Sequence, residues 1–148
     1  MARLIDRNHC SALLISCSDF RFKSTERAFA QAASLADDYD LLARPGAIRS
    51  LVQPRSPGMR ETMLEEIRLL WSAHQFSRVL LLNHVSCRAY DDIAGPENEA
   101  VTHTDHLRRA IPIVDSMFNG VTVEAYLIEH SENAFVVTKI AQDADTPR

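Results

Sequence analysis

The stretch LLISCSDFRF, Leu13 to Phe22, sets a buried-looking run directly against a chemically active tail. From Ala12 to Cys17 the residues lack helical spacing and are almost entirely apolar, the pattern of a strand covered on both faces in a parallel sheet. The next four residues then supply Asp19 and Arg21. In an open parallel sheet, ligands and catalytic groups gather at the carboxyl ends of the strands. A cysteine placed there, followed by a carboxylate and a guanidinium, is therefore a candidate site.

Outward from this stretch, apolar spacing gives the order of elements. Ser24 offers a cap and Glu26 a first-turn acid for a helix carrying Ala28, Phe29, Ala32, Ala33, Leu35 and Ala36, up to Asp37. Tyr39 to Ala43 reads as a second strand stopped by Arg44-Pro45-Gly46, and Pro54, Pro57 and Gly58 mark irregular chain beyond it. Met59, Met63, Ile67, Leu70 and Trp71 share one face of a long helix, and Arg78 to Asn83 forms a third apolar strand. His84 to Asn98 reads as loop with one short helical piece. Leu107, Ile111, Val114 and Phe118 place a helix over about Glu99 to Phe118, with Pro112 as a kink. Val121 to Ile128 and Phe135 to Ile140, joined through His130-Ser131-Glu132-Asn133, form a closing antiparallel pair. The expected fold is α/β: a mainly parallel central sheet flanked by helices, with an antiparallel C-terminal edge strand. Gln142 to Arg148 are polar and expected to fray.

Bulk properties narrow the function. At 148 residues, 46% hydrophobic and 24% charged, the chain is sized for a single domain over residues 1–148. Sixteen Lys and Arg against 20 Asp and Glu, with no basic block, argue against nucleic acid as a partner. The apolar runs are far short of the roughly 20 residues that span a bilayer, and Asp6, Arg7 and His9 interrupt any signal peptide. A cytoplasmic protein with no membrane partner is the expectation. Three cysteines, an odd number, leave thiols free for metal or catalysis.

The first strand ends Cys17-Ser18-Asp19-Phe20-Arg21 and the third ends Asn83-His84-Val85-Ser86-Cys87. If these strands are neighbours, Cys17, His84 and Cys87 converge. Two thiolates and an imidazole are a set that zinc prefers, and three protein ligands leave the fourth tetrahedral position open to a water whose pKa falls towards about 7. Asp19 is placed to accept a hydrogen bond from that water, and Arg21 to hold Asp19 ionised by a bidentate pair. Should Asp19 swing round, it becomes the fourth ligand and closes the site.

The pair of motifs, CSDFR and HVSC in this order, resembles the β-class carbonic anhydrases, whose Cys-x-Asp-x-Arg and His-x-x-Cys follow the first and third strands. Arg44-Pro45-Gly46-Ala47 stands where that family has an arginine-led loop. The resemblance implies Cys17, His84 and Cys87 as ligands of Zn2+, Asp19 and Arg21 as a catalytic dyad, and reversible hydration of carbon dioxide to bicarbonate through zinc-bound hydroxide. It also implies a homodimer or multiple of dimers. The sequence departs from the family at Arg88, where glycine is usual, bringing bulk and charge to the rim of the site. It departs again in the loop after the second strand, usually Arg-Asn-Ala-Gly-Asn, and in the short run ahead of the first motif. Two alternatives stay open: hydrolysis of carbonyl sulfide or carbon disulfide on the same scaffold, and a zinc-binding homologue without turnover that serves a regulatory role. Elsewhere, His103, Asp105 and His106 read as a solvated helix face, Cys10 as a cysteine without a partner, and Trp71, Met59 and Met63 as core.

Overall fold

A computed structural model describes residues 5–142; of the C-terminal tail expected to fray, positions 143–148 lie outside the described residues. Five strands, β1 (Ala12–Cys17), β2 (Tyr39–Arg44), β3 (Arg78–His84), β4 (Thr122–Ser131) and β5 (Ala134–Ile140), form one sheet in the order β2-β1-β3-β4-β5. β1 to β4 are mutually parallel and β5 runs antiparallel to β4, as the sequence predicts. Among the described residues four α-helices complete it: α1 (Lys23–Ala32), α2 (Arg49–Val52), α3 (Met59–His74) and α4 (Glu99–Asp115). Among the described residues no helix is long and apolar enough to cross a membrane.

The chain leaves β1 for β2 on one side, then crosses back over β1 to lay down β3 on the other. This reversal makes the junction of β1 and β3 the switch point of the sheet, beyond whose carboxyl ends open α/β sheets hold their ligands. The period of two along each strand sorts the core. Leu13 and Ile15 of β1 with Val79 and Leu81 of β3 pack towards Ile48, Leu51, Met63, Ile67, Leu107 and Ile111, the layer of α2, α3 and α4. Ala12, Leu14, Leu80 and Leu82 pack instead on Phe22, Phe29 and Ala30, the layer of α1. Parity then decides which way the last residues of each strand face. Ser16 meets Glu26 of α1 (2.8 Å), His84 stacks on Phe22 (3.9 Å between centroids), and Asn83 faces His103 of α4 (3.0 Å).

Some expected boundaries move. A 3-10 turn over Phe20–Phe22, capped by the Asp19 side chain, precedes α1, so the helix starts at Lys23 and Ser24 lies inside it. α1 ends at Ala32 because Ser34 and Ala36 take positive φ (61° and 48°), a reversal that no glycine announces. α2 lies between Gly46 and Pro54, where the sequence reading placed no element, and α4 ends at Asp115, short of Phe118. The β4–β5 turn tightens to Glu132-Asn133. Met63 is fully buried as expected, while Trp71 and Met59 are half-buried at the margin.

Candidate metal centre

Cys17 closes β1, His84 closes β3, and Cys87 follows three residues later, so adjacency of the two strands brings all three to one point. Donor atoms of Cys17, His84 and Cys87 lie within 4.8 Å of one another, and all three side chains are buried. The sulfurs are 4.0 Å apart; a tetrahedral zinc with Zn–S bonds of about 2.3 Å spaces two sulfurs by about 3.8 Å. His84 Nδ1 donates to the Val85 carbonyl oxygen (2.7 Å), which leaves the Nε2 lone pair buried and without a hydrogen-bond partner. A buried acceptor with no proton to take is a metal ligand's arrangement, its tautomer set from the far side of the ring. The residues present therefore fit a zinc ion in donor type, spacing and orientation.

The electrostatics favour a thiolate at Cys17. The Cys87 thiol hydrogen-bonds Cys17 and, with help from His84 and the backbone N–H groups of Gly46 and Asp19, outweighs burial to hold Cys17 down at about 4. Cys87, on the other end of that shared proton and buried, is pushed up. Ala47, Ala89 and Tyr90 pack with Cys17 and Cys87 in one buried apolar cluster. Ser86, between His84 and Cys87, holds φ at +58°, a strained conformation for serine that turns the chain so both ligands face inward.

Asp19 and Arg21 are joined as expected. Arg21 Nη2 donates to Asp19 Oδ2 (2.6 Å), Nε lies 3.1 and 3.0 Å from the two carboxylate oxygens, and the Arg21 backbone N–H adds a fourth contact (3.0 Å). These bonds hold Asp19 down at about 2, with the guanidinium hydrogen bond the leading cause. Asp19 Oδ2 stands 3.8 Å from His84 Nε2, at the edge of the donor set. Arg21 Nη2 also donates to the Ser86 carbonyl oxygen (2.8 Å), so one guanidinium spans the two sequence motifs.

Two residues at this centre carry no motif. Glu99, in the first turn of α4, accepts the Cys87 backbone N–H (2.9 Å), and although burial opposes it, the N–H groups of Cys87 and Ser86 keep it ionised. Lys23 bonds the Cys17 carbonyl oxygen and Glu26 (both 2.8 Å). Their partners lie on other elements, so nothing in local spacing could have marked them. Arg44 of the expected loop pairs with Glu66 of α3.

The structure corrects three expectations. Arg88 carries its charge outward: its side chain is 88% exposed and bonds Asp91 (2.7 Å) in its own turn. His103 and His106 are buried, not solvated, and share a hydrogen-bonded chain. Asn83 donates to Tyr90 Oη (3.1 Å) and His103 Nδ1, Tyr90 contacts His106 Nδ1 (2.9 Å), and His106 Nε2 contacts Gln53 Oε1 (3.2 Å). Both rings can stay neutral in that scheme, and burial pushes both pKa values down, His103 to about 4. They continue the Leu107–Ala110–Val114 stripe one turn towards the N-terminus, the signal that outweighs their polarity. Asp105 turns away to Arg109. Third, Cys10 has neighbours: Asp40 and His74.

Residues 7–140 match the model of the family described as "Putative carbonic anhydrase". A protein of Rickettsia bellii is 30% identical over 127 residues, covering 82% of this chain and 77% of its own. Another from Rickettsia conorii is 28% identical over the same length, with 82% and 68% covered. Among solved structures, the carbonic anhydrase of Streptococcus mutans superposes with a TM-score of 0.59 at 14% identity, over 95% of this chain and 87% of that one. The β-carbonic anhydrase isoform I of Trichomonas vaginalis gives 0.55 at 12% identity, over 96% and 88%. The likeness to both structures is one of fold.

Proposed function

Since the chain belongs to the carbonic anhydrase family whose model it matches, we propose that it catalyses the reversible hydration of carbon dioxide to bicarbonate at Cys17, His84 and Cys87, with Zn2+ as cofactor. One observation carries the reading: the Asp19–Arg21 pair at the margin of a three-residue donor set. A purely structural zinc has no use for an ionised carboxylate held at its edge. A zinc ion bound there supplies Lewis acidity that brings water within reach of deprotonation near neutral pH.

The chain's own residues do the rest. Asp19 presents an ionised oxygen that accepts a hydrogen bond from a nucleophilic water and fixes the direction of its lone pair. Arg21, bound to both carboxylate oxygens, stops Asp19 from rotating into the donor set, which supports an open position for substrate. Ala47, Ala89 and Tyr90 keep the surroundings apolar, as an uncharged linear substrate requires. With Arg88 turned to Asp91, its charge offers no obstacle that would favour a member without turnover. The resemblance in sequence motifs extends the proposal to a homodimer or a multiple of dimers, and Phe20, 83% exposed between the dyad residues, is a side chain such an interface would cover.

Stopped-flow hydration of carbon dioxide by zinc-loaded protein tests the reading, with Cys17→Ser as control. Turnover above that control is expected. Equal rates would remove the activity, and release of sulfide from carbonyl sulfide or carbon disulfide instead would reassign the substrate. Light scattering is expected to give the mass of two chains or a multiple, falling towards one chain in Phe20→Asp.

A further inference from the structure

At the amino-terminal ends of β1 and β2, away from the end of β1 that carries Cys17, three side chains with no part in the proposed reaction come together. Cys10 lies just ahead of β1, Asp40 near the start of β2, and His74 at the end of α3. The Cys10 N–H donates to the His74 carbonyl oxygen (3.2 Å), so the segment entering β1 is already tied to the helix terminus. His74 Nδ1 stands 2.7 Å from Asp40 Oδ2, and a donor atom from each of the three residues lies within 4.8 Å of the other two. All three are half-buried, open enough for an ion to enter and enclosed enough to hold one.

We propose that Cys10, Asp40 and His74 form a second metal site, for a borderline divalent cation such as zinc, that clips the N-terminal segment to β2 and α3. One sulfur, one imidazole nitrogen and one carboxylate oxygen is a mixed set that suits zinc and its neighbours and not magnesium or calcium, which take oxygen alone. The fourth position falls to solvent. Binding of the ion takes Cys10 as thiolate and expels the thiol proton to water. The residues lie on three elements and follow no motif spacing, so only the fold joins them.

The test uses the full chain carrying Cys17→Ser and Cys87→Ser, which removes the thiolates of the first centre, titrated with cobalt(II). A thiolate-to-cobalt charge-transfer band saturating at one equivalent is expected. It should vanish on adding Cys10→Ser, and His74→Ala should weaken binding at least as much as the roughly 10–100-fold that loss of an outer partner costs. A second readout keeps the first centre intact: the rate of Cys10 alkylation in the wild-type chain, followed by mass spectrometry. A second equivalent of zinc should slow it about tenfold or more, and His74→Ala should abolish that protection. A cobalt spectrum without a thiolate band in the folded double-serine chain, or an alkylation rate unchanged between one and two equivalents of zinc, overturns the proposal. Neither result bears on carbon dioxide hydration, so this site and the reaction stand or fall separately.

Discussion

Arg21 does more than its 45% side-chain exposure implies, because its guanidinium bonds both the Asp19 carboxylate and the Ser86 carbonyl oxygen. Arg21→Ala is expected to lower kcat about 10–100-fold with zinc content unchanged, the range found when a group orienting a metal's surroundings is lost. Arg21→Lys should recover little, since a single ammonium cannot make the fork to Asp19 and also reach Ser86. Elemental analysis beside hydration kinetics checks both. A second prediction concerns His103. Burial holds its folded pKa at about 4 against an ordinary 6.5, so the unfolded chain binds more protons between these values. Stability should therefore fall as pH drops from 6.5 to 4 and this contribution should level off below. His106 shifts in the same direction. Urea midpoints across that interval should show a shallower loss in His103→Gln than in wild type.

Between β2 and α2, Gly46 holds φ at +79°, and a Cβ there would stand 3.1 Å from Ala89 Cβ and 3.4 Å from Arg49 Cβ. Gly46→Ala is expected to cost about 1–2 kcal/mol from the left-handed backbone alone, read as a lower urea midpoint at unchanged slope. The elements differ in how plainly the sequence announces them. β1 and β3 are legible because burial on both faces leaves an uninterrupted apolar run, and β2 because Pro45-Gly46 ends it. α2 escapes notice because four residues amid prolines and glycines show no period. The end of α1 is hidden because Ser34 and Ala36, not glycines, make the reversal. Cys17, Asp19, Arg21, His84 and Cys87 were legible because the first three, and separately the last two, fall within five residues at a strand end. Glu99, Ser86 and the cluster of Cys10, Asp40 and His74 were not, since their partners are distant in sequence. His103 and His106 were misread by weighing polarity above position on the stripe.

For the molecule as a whole, the proposed metal ties site occupancy to stability. An ion that binds only the folded chain adds roughly 2.7 kcal/mol when free zinc is a hundredfold above its dissociation constant. The chelated protein is expected to melt lower than the zinc-loaded one, and the melting temperature to rise with free zinc; a melting curve indifferent to chelation would count against both metal sites. The order β2-β1-β3 has a bearing on folding as well as on chemistry. Cys17 cannot meet His84 until β2, α2 and α3 have been laid down and β3 has docked beside β1, so the centre closes through one of the longest-range pairings in the sheet. Such closure comes late, after local helices have formed. For the zinc site proposed above, the complete donor set therefore exists only once the crossover has placed β3 beside β1, and tight zinc binding would report that event.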